Sequence, residues 1–178
     1  MFFHRRRLRQ LRRFAVQSTI KRLVSAFVIA RLDYCNSVMA GLPASSLAPL
    51  NRVLSAAVCL VAGLEPRDHV TEHMKHLHWL PIQFRIKFKQ CLLMHGAVHD
   101  QSPSYIKDDF VPLSDLTGHS RLRSAAAGQY DVPFTRTQFG RRATPTEWNN
   151  LLANLRSIAD ITAFKKAIKT YFLREAYS

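Results

Sequence analysis

Ser46-Leu47-Ala48-Pro49-Leu50-Asn51-Arg52-Val53-Leu54-Ser55-Ala56-Ala57-Val58-Cys59-Leu60-Val61-Ala62-Gly63 decides the fold class. Leu47, Leu50, Val53, Leu54, Ala57, Val58 and Val61 recur at intervals of three and four, which puts them on one side of an α-helix and rules out the two-residue alternation of a half-buried strand. Ser46 is the predicted cap, and Gly63 is placed to end the helix in a left-handed conformation that a side chain would resist.

The same period extends in both directions. Upstream, Ile20, Leu23, Val24, Phe27, Val28 and Leu32 predict a helix that Ser18 caps and that continues to Tyr34 and Cys35 before Gly41-Leu42-Pro43 ends it. Before that, six arginines lie in residues 5–13 with Leu8, Leu11 and Phe14 at helical spacing, a basic amphipathic helix forming a hairpin with its successor. Downstream, residues 71–77 read as a short helix. Pro81 stands at the first turn of a long one, residues 82–99, apolar on much of its circumference and expected to be central. Ser102-Pro103 opens a short helix to about Phe110.

From residue 111 to 143 the pattern changes. Pro112, Gly118, Gly128, Pro133 and Gly140 punctuate two short alternating runs, and a loop carrying a small β-hairpin near residues 129–144 is expected. Thr144-Pro145-Thr146-Glu147 then combines a cap, a first-turn proline and a glutamate at the third position, with Trp148, Leu151, Leu152 and Leu155 facing inward. Asp160 caps a last helix that buries Ile161, Phe164, Ile168, Tyr171 and Phe172 and exposes Lys165, Lys166 and Lys169. The expected fold is therefore mainly α, a bundle of about six or seven helices with that hairpin. It is organised as a basic arm (1–17), a helical region (18–110), a loop region (111–143) and a carboxy-terminal helical pair (144–178) packing on the same core.

The 178 residues suffice for one domain with a substantial core, and no apolar run approaches the roughly 20 residues of a membrane helix. With 26 Lys and Arg against 12 Asp and Glu, the formal charge is +14, which draws in polyanions. Nine of the basic residues fall at or before Arg31, ahead of the first acid, Asp33. Cys35, Cys59 and Cys91 are widely spaced within apolar helical patterns and are expected to be reduced, buried thiols.

Few constellations point to chemistry. His69, His73 and His76 share a helix side at zinc-compatible spacing, yet no Cys or acid completes a tetrahedron, so no metal or other cofactor is expected. Asp108-Asp109 are the only adjacent carboxylates and read as a solvated pair at the end of a short helix. No nucleophile elbow, phosphate-cradling glycine loop or metalloprotease helix is present, which argues against an enzyme. Trp79 and Trp148 could stack on bases, but their apolar neighbours favour the core.

Two strings, Arg31-Leu32-Asp33-Tyr34-Cys35-Asn36-Ser37 and Leu77-His78-Trp79-Leu80-Pro81, resemble the region downstream of the polymerase domain in LINE-type, jockey-like non-LTR retrotransposon reverse transcriptases. The resemblance continues in order through Leu42-Pro43, Leu50-Asn51-Arg52-Val53, Arg85-Ile86-Lys87-Phe88-Lys89, Pro103-Ser104-Tyr105-Ile106, Leu122-Arg123-Ser124, Val132-Pro133, Phe139-Gly140, Trp148-Asn149 and Phe164-Lys165, and so covers nearly the whole chain. The palm motif of that family, resembling Phe-Ala-Asp-Asp, is absent, as is its Cys/His knuckle. The resemblance implies a thumb-like and carboxy-terminal fragment without catalytic aspartates. Its implied partners are RNA or DNA backbone, contacted without sequence preference, and the upstream polymerase domains. Where relatives place a Leu-Pro pair after Trp148-Asn149, this chain has Asn150-Leu151-Leu152, which implies a longer helix.

The expected phosphate contacts are Arg5, Arg6, Arg7, Arg9, Arg12, Arg13, Lys21 and Arg22, joined by Arg141, Arg142 and the Lys165, Lys166 and Lys169 face. Two alternatives stand beside this. Residues 1–24 are amphipathic, arginine-rich and free of acids, as a mitochondrial presequence is, and a charged helix face also forms simply to be solvated. A nuclear or cytoplasmic setting is preferred over a mitochondrial one, with a helical interaction or structural module as the competing function.

Overall fold

The computed structural model describes residues 14–65, 68–116, 128–132 and 144–178, and these are mainly helical. Helix α1 runs through Gln17–Val24, a π-helical segment Ser25–Ile29 and Ala30–Asp33. It is followed by a 3-10 turn at Asn36–Met39, α2 (Ala44–Ala62), α3 (Thr71–Leu77), α4 (Ile82–Val98) and α5 (Ser104–Lys107). A 3-10 turn at Leu113–Asp115, then α6 (Thr144–Asn149), α7 (Ala153–Arg156) and α8 (Ile161–Tyr177) complete the described chain. The chain divides into two compact units, one of residues up to Ile86 with Leu173–Ser178 and one of Lys87–Phe172, so the boundaries fall inside α4 and α8.

In the first unit, α1 packs on α2, and the Gln17 side-chain amide donates to the Val61 carbonyl at 3.2 Å, tying the start of one helix to the end of the other. Ile20, Val24, Val28 and Leu32 from α1 meet Leu47, Leu54, Ala57, Val58 and Val61 from α2, with Met74, Trp79, Ile82 and Ile86 closing the same core. Gly63 ends α2 at φ 83° and its amide donates to the Cys59 carbonyl at 2.8 Å, the expected left-handed stop. Helix α2 has the length and mean hydropathy to cross a membrane, yet its apolar side is the one buried against α1.

The second unit buries Cys91, Met94 and His95 from α4 with Trp148, Leu151, Leu155, Phe164, Ile168 and Phe172. Burial pushes the Cys91 thiol well above its ordinary range, keeping it protonated. Asp160 caps α8 as expected, its carboxylate accepting from the Ala163 amide at 2.6 Å. Leu113 and Asp131 amides donate across an antiparallel bridge between Pro112 and Tyr130, to the Gln129 and Val111 carbonyls at 3.0 and 2.8 Å. The expected hairpin falls outside the described residues except for 129–132, which pair with the chain before them, and Thr144, which opens α6.

Several expectations are corrected. Cys35 is exposed, because α1 ends at Asp33 and Cys35 turns out of it at φ 50°. Ser18 and Ser46 cap nothing: α1 starts after Val16 and α2 after Pro43, each without a side-chain cap bond. The segment after Trp148 does not lengthen the helix. Helix α6 stops at Asn149, Leu151 turns into the core, and Leu152, exposed on extended backbone, starts the separate turn α7 instead of facing inward.

Candidate nucleic-acid interface

Each described cation of the expected interface owes its position to the apolar side of its helix. On α1, Ile20 and Val24 are buried, so Lys21 and Arg22, one and two residues further on, emerge into solvent. On α8, Phe164, Ile168 and Phe172 hold one side in the core and leave Lys165, Lys166 and Lys169 exposed. Arg5, Arg6, Arg7, Arg9, Arg12, Arg13, Arg141 and Arg142 lie outside the described residues. Lys21 and Arg22 belong to the first unit and the three lysines to the second.

The described ion pairs use other bases. Arg85 Nη1 donates to both carboxylate oxygens of Asp33 at 2.7 and 2.8 Å while its Nε donates to the Leu80 carbonyl at 2.9 Å. Lys87 meets Glu147 at 3.5 Å, and Lys107 bonds Asp100, whose carboxyl that ammonium holds below its usual range. Lys21, Arg22, Lys165, Lys166 and Lys169 make no ion pair among the described residues. Three of the chain's acids, Asp33, Glu147 and Asp100, are thus engaged by bases other than these five.

Sequence reasoning missed how the quoted motifs meet. Asp33, Leu80 and Arg85 come from three separate strings, and one guanidinium joins them. Next to it the Tyr177 hydroxyl donates to the Trp79 carbonyl at 2.6 Å, its own ionisation pushed up to about 12 by burial. Leu77-His78-Trp79 forms a helix stop in which His78 stands at φ 57° and the Trp79 amide donates to the Met74 carbonyl at 2.9 Å, geometry usually given to glycine. Trp79 and Trp148 are buried, as their neighbours implied.

Other polar residues carry less. Asp108 and Asp109 are exposed just after α5. His69 and His76 are exposed and His73 half-buried, and among the described residues no three His, Cys, Asp or Glu side chains gather around a metal-sized position.

His95 is fully buried, stacked on Phe164 at 4.2 Å, and its Nε2 donates to the Ile158 carbonyl at 2.8 Å. Burial, with the neighbouring His99 and Lys165, holds its imidazole below the ordinary 6.5, against the opposing pull of the Ile158 carbonyl and Asp160. The unfolded chain therefore binds this proton first. Its contribution to stability is level above about pH 6.5 and is lost as pH falls through the folded-state value. Urea unfolding at about pH 7.5 and about pH 5.5 should show the wild type losing stability that His95→Gln, which cannot charge, does not lose. Equal losses would remove His95 as the cause.

No family model, curated protein or solved structure matches this chain.

Proposed function

We propose that the chain binds the backbone of RNA or DNA electrostatically and without reading sequence, as a non-catalytic counterpart of the thumb and downstream region of LINE-type reverse transcriptases. The observation that carries this reading is the pairing pattern. A chain of formal charge +14 leaves Lys21, Arg22, Lys165, Lys166 and Lys169 exposed and outside the described ion pairs, while Asp33, Asp100 and Glu147 are engaged by other bases. Ammonium and guanidinium groups on exposed helix faces suit phosphate oxygens, and contacts to phosphate carry no sequence information. The absence of a palm-like aspartate motif from the sequence supports the non-catalytic part of the proposal.

Replacing Lys165, Lys166 and Lys169 together by glutamine should weaken binding to a duplex uniformly across unrelated sequences, with the salt slope falling by about 0.9 for each phosphate that is no longer neutralised. Fluorescence anisotropy on two duplexes of different sequence measures both. Unchanged affinity would take α8 out of the interface, and a weakening confined to one sequence would contradict backbone binding.

A further inference from the structure

The outer side of α1 has a geometry that an ordinary α-helix does not allow. At 3.6 residues per turn, positions four apart drift by about 40°, so a four-residue repeat carried through three steps leaves its face by about 120°. Yet Ile20, Val24, Val28 and Leu32, spaced by four throughout, are all buried in one core. The π-helical segment Ser25–Ile29 explains this, because its wider turn absorbs the drift. The residues midway between them form the opposite line. Arg22, Ala26, Ala30 and Tyr34 are all exposed.

Tyr34 belongs to this line although it is one residue past the helix. Its φ of −68° is helical, so its Cα–Cβ bond points where a further helical residue would point, and the residue is 79% exposed. Arg31, exposed on the preceding turn, flanks it. Asp33 is the single acid on the helix, and Arg85 engages it. The stripe thus has a guanidinium at one end, a second guanidinium beside an open aromatic ring at the other, and two alanines between them that let a ligand backbone approach closely.

We infer that this stripe binds an unpaired strand, with Arg22 and Arg31 on phosphates and a base stacked on Tyr34, so that the chain prefers single-stranded nucleic acid to duplex. The inference rests on the nucleic-acid reading above and adds a strand preference and two residues, Arg31 and Tyr34. A duplex buries its base faces in its own stack and offers Tyr34 only an edge, whereas each base of a single strand has a free π-face.

The test is fluorescence anisotropy of the full chain with a labelled oligo-dT strand and with the same strand annealed to oligo-dA. Tyr34→Ser should weaken single-strand binding about tenfold and leave duplex binding unchanged, and Tyr34→Phe should restore it, since the ring rather than the hydroxyl stacks. Salt-dependent single-strand binding that Tyr34→Ser does not alter would overturn the stacking proposal while leaving backbone binding intact. Failure of the wild type to bind either probe would overturn both.

Discussion

Trp148→Ala is expected to cost about 3–5 kcal/mol. Trp148 is 1% exposed and wedged against Phe164 at 5.9 Å and edge-on to His95 at 6.5 Å. Truncation removes the indole from a cluster in which His95 also stacks on Phe164 and tilts against His99, so His95 and Phe164 lose their common neighbour and a void opens in a close-packed core. Against a total stability of about 5–15 kcal/mol, the change would leave a large unfolded fraction in mild urea. Trp148→Phe keeps most of the volume and should cost much less. The indole Nε1 is buried without a partner among the described residues, which makes part of the native burial unfavourable and pulls the expected cost toward the lower end of that range. Urea unfolding of both variants checks this. A cost below about 1 kcal/mol for alanine would mean that Trp148 is not central to its unit.

The second large effect concerns Arg85 and Asp33. Arg85 is 12% exposed and Asp33 44%, so the pair is neither a solvated surface bridge nor a fully dry one. Asp33→Ala leaves a mostly buried guanidinium with the Leu80 carbonyl as its one remaining acceptor among the described residues. Arg85→Ala frees a carboxylate that water can reach, but also abandons that carbonyl and the packing of the arginine stem. Each single variant should lose about 2–3 kcal/mol, and the double variant clearly less than the sum, because either change already dissolves the junction. A double-mutant cycle by chemical denaturation measures this coupling. Additive losses would show that Arg85 and Asp33 are not coupled, which would contradict a stabilising bond between them.

These two sites mark what could be read from the sequence. The period of α2, the Gly63 stop, the long helix after Pro81 and the Asp160 cap were all legible, because each rests on residues within a few positions of one another. The exposed Lys165, Lys166 and Lys169 were legible for the same reason: they face away from an apolar stripe in their own helix. The Arg85–Asp33 bond joins residues 52 apart, and no local pattern encodes it. The π segment was hidden by the assumption of 3.6 residues per turn, under which Phe27 belongs to the core; it is 44% exposed. The break at Leu152 was missed because Asn150-Leu151-Leu152 contains no proline or glycine, so only burial of Leu151 reveals the turn.

Charge is the basis of the functional reading, and salt is the most direct probe of it. The apparent association constant of the full chain for a labelled duplex, measured over about 50–200 mM salt, should fall with a log–log slope near about −5 if about six phosphates are neutralised. A flat response would contradict backbone binding, whatever affinity was found at the lowest salt.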